Sequence, residues 1–342
     1  MKLSPSSSKL TIKEVALQAG VSTATVSRVL SGGDVVSEDL QTRVLDAVRA
    51  LNYHPNQLGR NLRRQATNII GFLVTDFQNP FFTSIMRGIQ DVLQEEAYVL
   101  LTANSDENPE QENLHLRTFR AQGVAGIIFA PSRQDYALHE NLLQGISAVA
   151  VDRRPMGLAV DTLTVDNVTG VRIAVQHLTE RGHRRIGFIA GLPQTFTAQE
   201  RLHGYQDALQ EAGIALEANL IQEGFFYQDG GRQAMNKLLD LSAPPTAVFS
   251  ANNMMTLGAL QAIHERCMTI PDEIAVVGFD DMPWAASLQP PLTVVAQPAY
   301  DMGRMAASLL LERLNNPELP IRNIVLDTEL IVRASSGVRN CP

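Results

Sequence analysis

The feature that most constrains the fold of this chain is an internal repeat with a constant offset of 116 residues. The phrase IGF occurs at residues 70–72 and again at residues 186–188, and 17 residues after the glycine of each phrase stands another glycine, Gly88 or Gly204. The phrases that follow, IQDVLQEEAYVL and YQDALQEAGIAL, keep the same register. Because chance similarity seldom stays in register across both a strand and the next helix, we predict two similar doubly wound subdomains built from duplicated units.

From Asn68 onward the chain alternates between strand-like and helix-like segments. Short apolar runs predict strands at NIIGFLV, YVLLTA, VAGIIFA and ISAVAVD, and helices are predicted at RGIQDVLQEEA and NPEQENLHLRTFRAQG. Asn108 is suited to cap the second helix, with Pro109 at its first position. The segment DFQNPFF is predicted to be a loop. Such alternation is typical of βα units on a parallel sheet.

Length and charge indicate more than one domain. A chain of 342 residues suggests two or three domains. Residues 1–68 contain nine lysines and arginines against five acidic residues, a charge of +4, whereas the remaining residues carry −12. A mildly basic segment ahead of an acidic body fits a small DNA-reading module attached to a ligand-binding body.

Two short helices joined by a glycine turn are predicted between residues 11 and 30. Thr11 and Glu14 form a capping-box pattern at the start of the first helix, and Gly20 permits a left-handed turn at its end. Ser22 is suited to cap the second helix. The apolar face of the first helix is formed by Ile12, Val15, Ala16 and Ala19.

The second helix has small or polar groups on one face, which would let its backbone lie deep in a major groove. Val21, Val26, Val29 and Leu30 are predicted to pack inward. Arg28 could contact a guanine edge, and Thr23 or Ala24 a thymine methyl. The alternative is an ordinary helical hairpin with a surface arginine. The candidate DNA contacts in this segment are Thr11, Ser22, Thr23, Ala24, Thr25, Ser27 and Arg28.

A third helix and a short helical phrase follow. VSEDLQTRVLDAVRALNYHPN has Ser37 as a candidate cap and Pro55 at its end. Its predicted inner face is formed by Leu40, Val44, Val48 and Leu51. The phrase NQLGRNLRRQ then places two leucines four residues apart among three arginines.

These phrases resemble a known family. TIKEVALQAGVSTATVSRVL, ALNYHPN and GRNLRR, spread over residues 11–67, are similar to the headpiece and hinge of the LacI/GalR family of bacterial transcription regulators. The resemblance implies a homodimer on a pseudo-palindromic operator, with paired hinge helices over the minor groove and Leu62 wedged into a base step. The alternative is a linker whose Leu58 and Leu62 pack on the body. The candidate hinge contacts with DNA are Asn56, Arg60, Leu62 and Arg63.

Residues 68–336 resemble the two-lobed periplasmic sugar-binding body that this family carries. The resemblance implies three crossings between lobes, near Asp166, Gln297 and Asp327. The expected fold is a small all-α helix-turn-helix headpiece plus an α/β body of two doubly wound parallel-sheet subdomains. The expected boundaries are a tail (1–9), headpiece (10–55), hinge (56–67), N-lobe (68–165 and 298–326), C-lobe (166–296 and 327–336) and a second tail (337–342).

Candidate effector-binding residues stand where strands of the two subdomains end, because ligands of such folds bind outside the carboxyl ends of the strands. Aromatic rings can stack on a sugar, while carboxylates, amides and guanidinium groups can hold its hydroxyls. Taken singly, each phenylalanine could be a core residue, and Asp152, Asp166 and Asp280 could cap helices. The candidates are Asn79, Phe81, Phe82, Asp152, Arg153, Arg201, Phe226, Asn252, Asp280 and Gln297.

This set is similar, residue by residue, to the site of the ribose-binding protein and related regulators, which implies ribose or a related sugar as effector. Asn253 departs from the pattern, since the family more often has aspartate after the first asparagine of NNMMTLGAL. A sugar acid, a sugar phosphate or a nucleoside stays open as an alternative effector.

Other classes of protein fit less well. Asp280 and Asp281 are adjacent carboxylates, but the sequence lacks GxGxxG, a phosphate loop, a nucleophile elbow and a metal-ligand spacing. Only Cys267 and Cys341 are present. We therefore expect no catalytic residues, metal or cofactor. A sugar carrier would need an export signal, whereas MKLSPSSSKL has no apolar core and no run is long enough to span a bilayer. We expect a cytoplasmic repressor without membrane contact and, since no leucine heptads follow Ser336, no tetramer built on a carboxy-terminal helical bundle.

Overall fold

The computed structural model describes residues 10–30, 36–51, 53, 67–136 and 143–337. They belong to two compact units that separate between residues 66 and 67. Within these ranges, the helices are all too short or too polar to cross a membrane.

The first unit contains three helices around a small apolar core. Val15, Val26 and Val44, one from each helix, are fully buried. The Thr11 N–H donates to the Glu14 carboxylate, as the capping box predicts, and Gly20 has a φ of 64°, in the left-handed region. The helices are α1 (Ile12–Ala19), α2 (Thr23–Leu30) and α3 (Glu38–Ala50).

The third helix differs in detail from its prediction. Ser37 occupies the N-cap position, but its side chain makes no cap hydrogen bond. Of the predicted inner face only Val44 is fully buried, and Ala47 replaces Val48 as its buried neighbour. Val48 and Leu51 are only partly buried, although both pack against the same core. The hinge residues Asn56, Arg60, Leu62 and Arg63 lie outside the described residues.

The second unit contains two six-stranded sheets, one in each lobe. The strand orders are β11-β5-β4-β3-β1-β2 and β12-β10-β9-β8-β6-β7, and every pairing is parallel except that of β10 with β12. The strands are β1 (Ile69–Val74), β2 (Val99–Asn104), β3 (Gly126–Phe129), β4 (Ser147–Val151), β5 (Asp161–Val165), β6 (Ile186–Ala190), β7 (Ile221–Glu223), β8 (Ala247–Ser250), β9 (Ala275–Phe279), β10 (Thr293–Ala296), β11 (Asn323–Leu326) and β12 (Glu329–Ile331). The helices are α4 (Pro80–Glu95), α5 (Pro109–Ala121), α6 (Asn167–Glu180), α7 (Phe196–Glu211), α8 (Gln228–Leu239), α9 (Asn253–Glu265) and α10 (Ala299–Asn315).

The repeat predicted from the sequence is present in the structure. Helices α4 and α7 begin and end at positions 116 residues apart. A Cβ atom on Gly88 would lie 2.1 Å from the carbonyl oxygen of Tyr300, and one on Gly204 would lie 2.4 Å from that of Val168. The two glycines therefore have the same role, which is to let a neighbouring helix approach the backbone closely.

Helix α4 starts earlier than the sequence indicated. The segment NPFF was predicted as part of a loop, but α4 begins at Pro80. Asn79 is its N-cap, and its side chain accepts a hydrogen bond of 2.9 Å from the Phe81 N–H. As a result, Phe81 and Phe82 are held on the first turn of a helix rather than on a loop.

The chain passes between the lobes at three places. The first crossing, at Asp166, joins β5 of the N-lobe to α6 of the C-lobe. The second, at residues 297–298, joins β10 to α10, which packs on α4. The third, at residues 327–328, joins β11 to β12. The carboxyl ends of the parallel strands of both lobes border the cleft between these crossings.

Candidate functional site

A cavity of about 430 Å³, counted with its open mouth, lies in the cleft between the lobes of the second unit. All ten body residues that the sequence singled out line this one cavity. From the N-lobe come Asn79, Phe81, Phe82, Asp152 and Arg153; from the C-lobe and the second crossing come Arg201, Phe226, Asn252, Asp280 and Gln297.

Four further residues line the cavity and were not predicted. They are Asp76, Glu107, Thr197 and Tyr227. Asp76 lies just beyond β1, and Glu107 and Tyr227 lie in the loops after β2 and β7, so the strand-end rule could have found them. The loop of Glu107 turns through two consecutive residues with positive φ, Asp106 and Glu107, which nothing in the sequence signals because neither is glycine.

Asp152 and Asp280 occupy equivalent places in the two lobes. Each directly follows the third strand of its sheet order, β4 or β9. Each has a positive φ, 68° and 77°, and each N–H donates to the neighbouring strand, at Leu163 (2.9 Å) and Val295 (2.8 Å). Left-handed backbone is uncommon for residues other than glycine and is concentrated at functional sites. Both lobes therefore present a carboxylate to the cleft from left-handed backbone at the end of a strand, and in the N-lobe Glu107 is a second such carboxylate.

Arg153 is held by acidic partners of the N-lobe. Its two terminal nitrogens bind both Glu107 carboxylate oxygens at 2.6 Å, and its Nε lies 3.3 Å from Asp152 Oδ2. Its Cζ lies 5.4 Å from the centre of the Phe226 ring, across the cleft. Burial opposes the charged form, but Glu107 outweighs it and the pKa of Arg153 is raised. The guanidinium group is thus committed to the protein and has little left for a ligand.

Arg201 is held differently, by neutral groups of the C-lobe. Its Nε donates to Asn167 Oδ1 (2.8 Å), its Nη1 donates to the Ala251 carbonyl (2.6 Å), and its Cζ lies 3.7 Å from the centre of the Phe279 ring. Only 3% of the residue is exposed. Burial lowers the pKa of Arg201, against the attraction of Asp280 and Asp152. Within the described residues its Nη2 has no hydrogen-bond partner, so this nitrogen remains available to a molecule in the cavity.

The cavity as a whole is acidic. Asp76, Glu107, Asp152 and Asp280 face only two guanidinium groups. Burial raises the pKa of Asp152 and of Asp280, although Arg201 is near both. Gln297 Nε2 donates to Asp280 Oδ1 at 2.5 Å. Such a site favours a ligand that donates hydrogen bonds to carboxylates over one that brings further negative charge.

Among the described residues of the second unit, two hydrogen bonds join the lobes directly across the cleft. Asn253 Nδ2 donates to Asn79 Oδ1 at 2.7 Å, and the Tyr227 hydroxyl donates to the Asp106 carbonyl at 3.3 Å. Aspartate at position 253 would lack the donor of the first bond. Asparagine at position 253 therefore provides a contact between the lobes that aspartate could not make.

The candidate DNA-reading face of α2 belongs to the first unit. Thr11, Ser22, Thr23, Ala24 and Arg28 are exposed. The Thr25 N–H donates to Ser22 Oγ at 3.1 Å, and the two hydroxyl oxygens lie 2.9 Å apart. Ser22 is therefore the cap of α2, as predicted. Thr25 and Ser27 are half-buried, which leaves Thr23, Ala24 and Arg28 as the protruding side chains.

In the ranges that the structure describes, no group of three or more histidine, cysteine or acidic side chains is arranged to hold a metal ion.

Comparison with known proteins identifies the family. Residues 11–56 match the family described as bacterial regulatory proteins, lacI family, and residues 175–336 match a periplasmic binding protein-like domain. Over 338 residues the chain is 36% identical to the HTH-type transcriptional repressor CytR of Escherichia coli (strain K12), covering 98% of this chain and 99% of the relative. The chain belongs to the lacI family.

This lacI-family protein is similar to further repressors. It is 34% identical over 325 residues to the ribose operon repressor of Haemophilus influenzae, covering 95% of this chain and 98% of the relative. The crystal structure of the lac repressor dimer bound to operator and the anti-inducer ONPF has a TM-score of 0.86 and 26% identity, covering 96% of this chain and 99% of that chain. The predicted fold class is confirmed. The protein is a DNA-binding transcription regulator, and both the CytR protein and the ribose operon repressor are repressors by name.

Proposed function

We propose that this lacI-family regulator represses transcription as a homodimer on a pseudo-palindromic operator, and that a neutral, polyhydroxylated effector bound in the cleft controls its operator affinity. The effector is ribose or a nucleoside that contains it. The observation that carries this proposal is the make-up of the cleft, where ten predicted side chains surround one acidic cavity. Phe81, Phe82 and Phe226 offer rings to the C–H face of a sugar, while Asp152 and Asp280 accept hydrogen bonds from hydroxyl groups.

The electrostatics disfavour two of the alternative effectors, a sugar acid and a sugar phosphate. Arg153 is already bound by Glu107 on both terminal nitrogens, so it offers no free fork to an anion. Arg201 offers one nitrogen, Nη2, and stands beside Asp152 and Asp280. An anionic ligand would therefore meet carboxylates from both lobes. The similarity to a relative named ribose operon repressor supports ribose over other sugars.

We expect a neutral ligand to bind at least about 30-fold more tightly than its phosphorylated counterpart, because a like charge placed beside buried carboxylates costs several kcal/mol. Isothermal titration of the protein with ribose, uridine, adenosine, ribose 5-phosphate and ribonate tests this, with operator release measured on the same samples. Tighter binding of the phosphate or the acid would overturn the proposed effector class.

On DNA we propose that Arg28, with Thr23 and Ala24, contacts base edges in the major groove. For the hinge residues Asn56, Arg60, Leu62 and Arg63, we propose from the family resemblance that paired hinge helices bind the minor groove with Leu62 as the wedge. A dimer would place two copies of α2 on the two half-sites of the operator. The similarity to a lac repressor dimer solved on its operator supports this arrangement.

Arg28→Ala is expected to weaken operator binding by about 1 to 3 kcal/mol per half-site and to relax the preference at one base pair, because a bidentate base contact is lost. Binding to an operator and to random DNA of equal length, measured at one salt concentration, checks this. Arg49→Ala is the matched control, since it removes the same charge from an exposed position on α3. Equal losses of Arg28→Ala on both DNAs would assign Arg28 to the phosphate backbone instead.

A further inference from the structure

We propose that Asn167, which does not line the cavity, is the positioning residue that orients Arg201 toward the effector and links it to the first lobe crossing. This inference rests on the proposed effector site. Asn167 is the first residue of α6 and follows the crossing residue Asp166. It is fully buried.

The side chain of Asn167 is hydrogen-bonded at both ends. Its Oδ1 accepts from Arg201 Nε at 2.8 Å. Its Nδ2 donates to the Val165 carbonyl at 3.2 Å and to Glu200 Oε2 at 3.2 Å. A buried amide whose oxygen and nitrogen are both bonded has one preferred orientation, because turning it over would place donors against donors. The position of Asn167 Oδ1 is therefore fixed by the backbone of β5.

Arg201 needs this contact to point in one direction. Stacking on Phe279 fixes the plane of the guanidinium group but not its rotation within that plane. Two hydrogen bonds, from Nε to Asn167 and from Nη1 to Ala251, fix the rotation. The third nitrogen, Nη2, already has its orientation before a ligand binds, so no conformational entropy is lost in ordering it. Pre-organisation of this kind raises affinity.

The same asparagine connects the cleft to two of the three crossings. Val165 is the last residue of β5, and the next residue, Asp166, donates its N–H to the Leu326 carbonyl (2.9 Å) at the end of β11. Thr328 Oγ1, on the third crossing, lies 3.4 Å from the Asp166 carbonyl. A rotation of the lobes changes the backbone of these crossings and hence moves the group that holds Arg201. By reciprocity, an effector that binds Arg201 in one orientation favours one arrangement of the crossings.

Asn167→Ala and Asn167→Asp test the two ends of the side chain. Asn167→Asp keeps an acceptor for Arg201 but loses the donor to Val165 and to Glu200, and it places a carboxylate beside Glu200. It therefore removes the link to the crossing while the acceptor for Arg201 remains. Asn236→Ala is the matched control, because Asn236 likewise accepts from an arginine Nε, that of Arg266 (2.9 Å), and donates to a backbone carbonyl, that of Arg232 (3.1 Å). Neither Asn236 nor Arg266 lines the cavity.

The experiment measures ribose affinity, and the ratio of operator affinities without and with saturating ribose, in the full-length protein. If ribose does not bind, uridine is used, and if neither binds, the proposed effector class and this inference both fall. We expect Asn167→Ala to weaken binding at least tenfold and to reduce the operator ratio at least threefold at saturation. Asn167→Asp should bind with a smaller loss but show the same reduced ratio, and Asn236→Ala should match the wild type in both.

A cycle with Arg201→Lys separates positioning from a general loss of stability. Lysine has no Nε donor for Asn167. Adding Asn167→Ala to Arg201→Lys should therefore weaken ribose binding by less than a further threefold. Additive losses, or a folded Asn167→Ala with wild-type affinity and ratio, would overturn the positioning role. Should Asn167→Ala fail to fold, Asn167→Asp decides by its operator ratio. If Arg201→Ala binds ribose as tightly as the wild type, the proposed effector site is wrong. If Arg201→Ala binds ribose weakly but the Asn167 variants bind it normally, only the positioning role of Asn167 is wrong.

Discussion

Replacing Arg201 with alanine is expected to weaken ribose binding by at least about 100-fold. The guanidinium group is buried, and among the described residues its Nη2 has no hydrogen-bond partner, so this nitrogen is left for a ligand. Its removal also leaves Asp152 and Asp280 in a buried site without their shared cation. Removing one partner from a buried group of charges typically costs about 3 to 5 kcal/mol, and part of that cost falls on the closed, ligand-bound state. Isothermal titration and operator release by ribose measure the loss.

The control for this substitution is Arg172→Ala. Arg172 lies on α6 in the same lobe and pairs with Glu211 at 3.5 Å on the surface, so the change in net charge is the same. Ribose binding by Arg172→Ala should equal that of the wild type, since exposed ion pairs contribute little. Operator affinity without ribose should be close to the wild-type value in both variants. A normal response to ribose in Arg201→Ala would show that the effector binds elsewhere.

The ten predicted side chains line one cavity for a physical reason. The carboxyl ends of parallel strands meet at one edge of a sheet, so polar residues just beyond several strands must lie together once the sheet forms. The repeat indicated that the chain forms two such sheets, and Asp152 and Asp280 were each predicted as the residue that ends a strand, in AVAVDR and AVVGFD. The same reasoning covers Phe226 and Asn252, which follow β7 and β8.

What the sequence did not reveal depends on side chains that meet through tertiary packing. Asn167 supports the cleft from inside the C-lobe, and its partner Arg201 is 34 residues away. Asn253 and Asn79 are 174 residues apart and meet only because the lobes close on each other. No local pattern encodes such a pair. Ser37 shows the opposite failure, since a correct capping residue at a correct helix start makes no cap bond.

Stability at different pH values tests whether the cleft carboxylates are strained by burial. Burial raises the pKa of Asp280 and of Asp152 above the ordinary value. Between the unfolded pKa, about 3.9, and the raised folded pKa, the folded protein binds more protons than the unfolded chain. The free energy of unfolding therefore falls as pH rises through this window, and the loss persists at neutral pH. Asparagine resembles the protonated form and does not incur this loss.

Asp161 is the internal control, because its pKa moves the other way. Burial alone would raise it, but hydrogen bonds from Arg313 (2.8 Å) and from the Arg322 N–H (2.8 Å) outweigh burial and lower it. Ionised Asp161 therefore adds to the free energy of unfolding at pH values above its unfolded pKa. This contribution is lost as the pH falls through the pKa of Asp161 in the folded protein. Asp161→Asn should therefore be less stable than the wild type at pH 7, by about 3 to 5 kcal/mol for a broken buried pair, and the deficit should shrink toward acid pH.

Asp280→Asn is expected to be more stable than the wild type at pH 7, by about 0.5 to 2 kcal/mol, the usual gain from relieving a site kept for function. Urea unfolding from pH 4 to pH 8 should show this advantage growing with pH, the reverse of the trend for Asp161→Asn. The same variant should bind ribose at least about tenfold more weakly, since the amide replaces a charged acceptor of hydroxyl hydrogen bonds. An advantage that is constant or shrinks with pH would mean that the ionised carboxylate is not disfavoured in the folded protein. The ionised carboxylates of the empty cleft destabilise the folded protein because burial has removed the water that would bond them. A ligand with hydroxyl groups supplies hydrogen-bond donors to these carboxylates, and its binding is therefore more favourable.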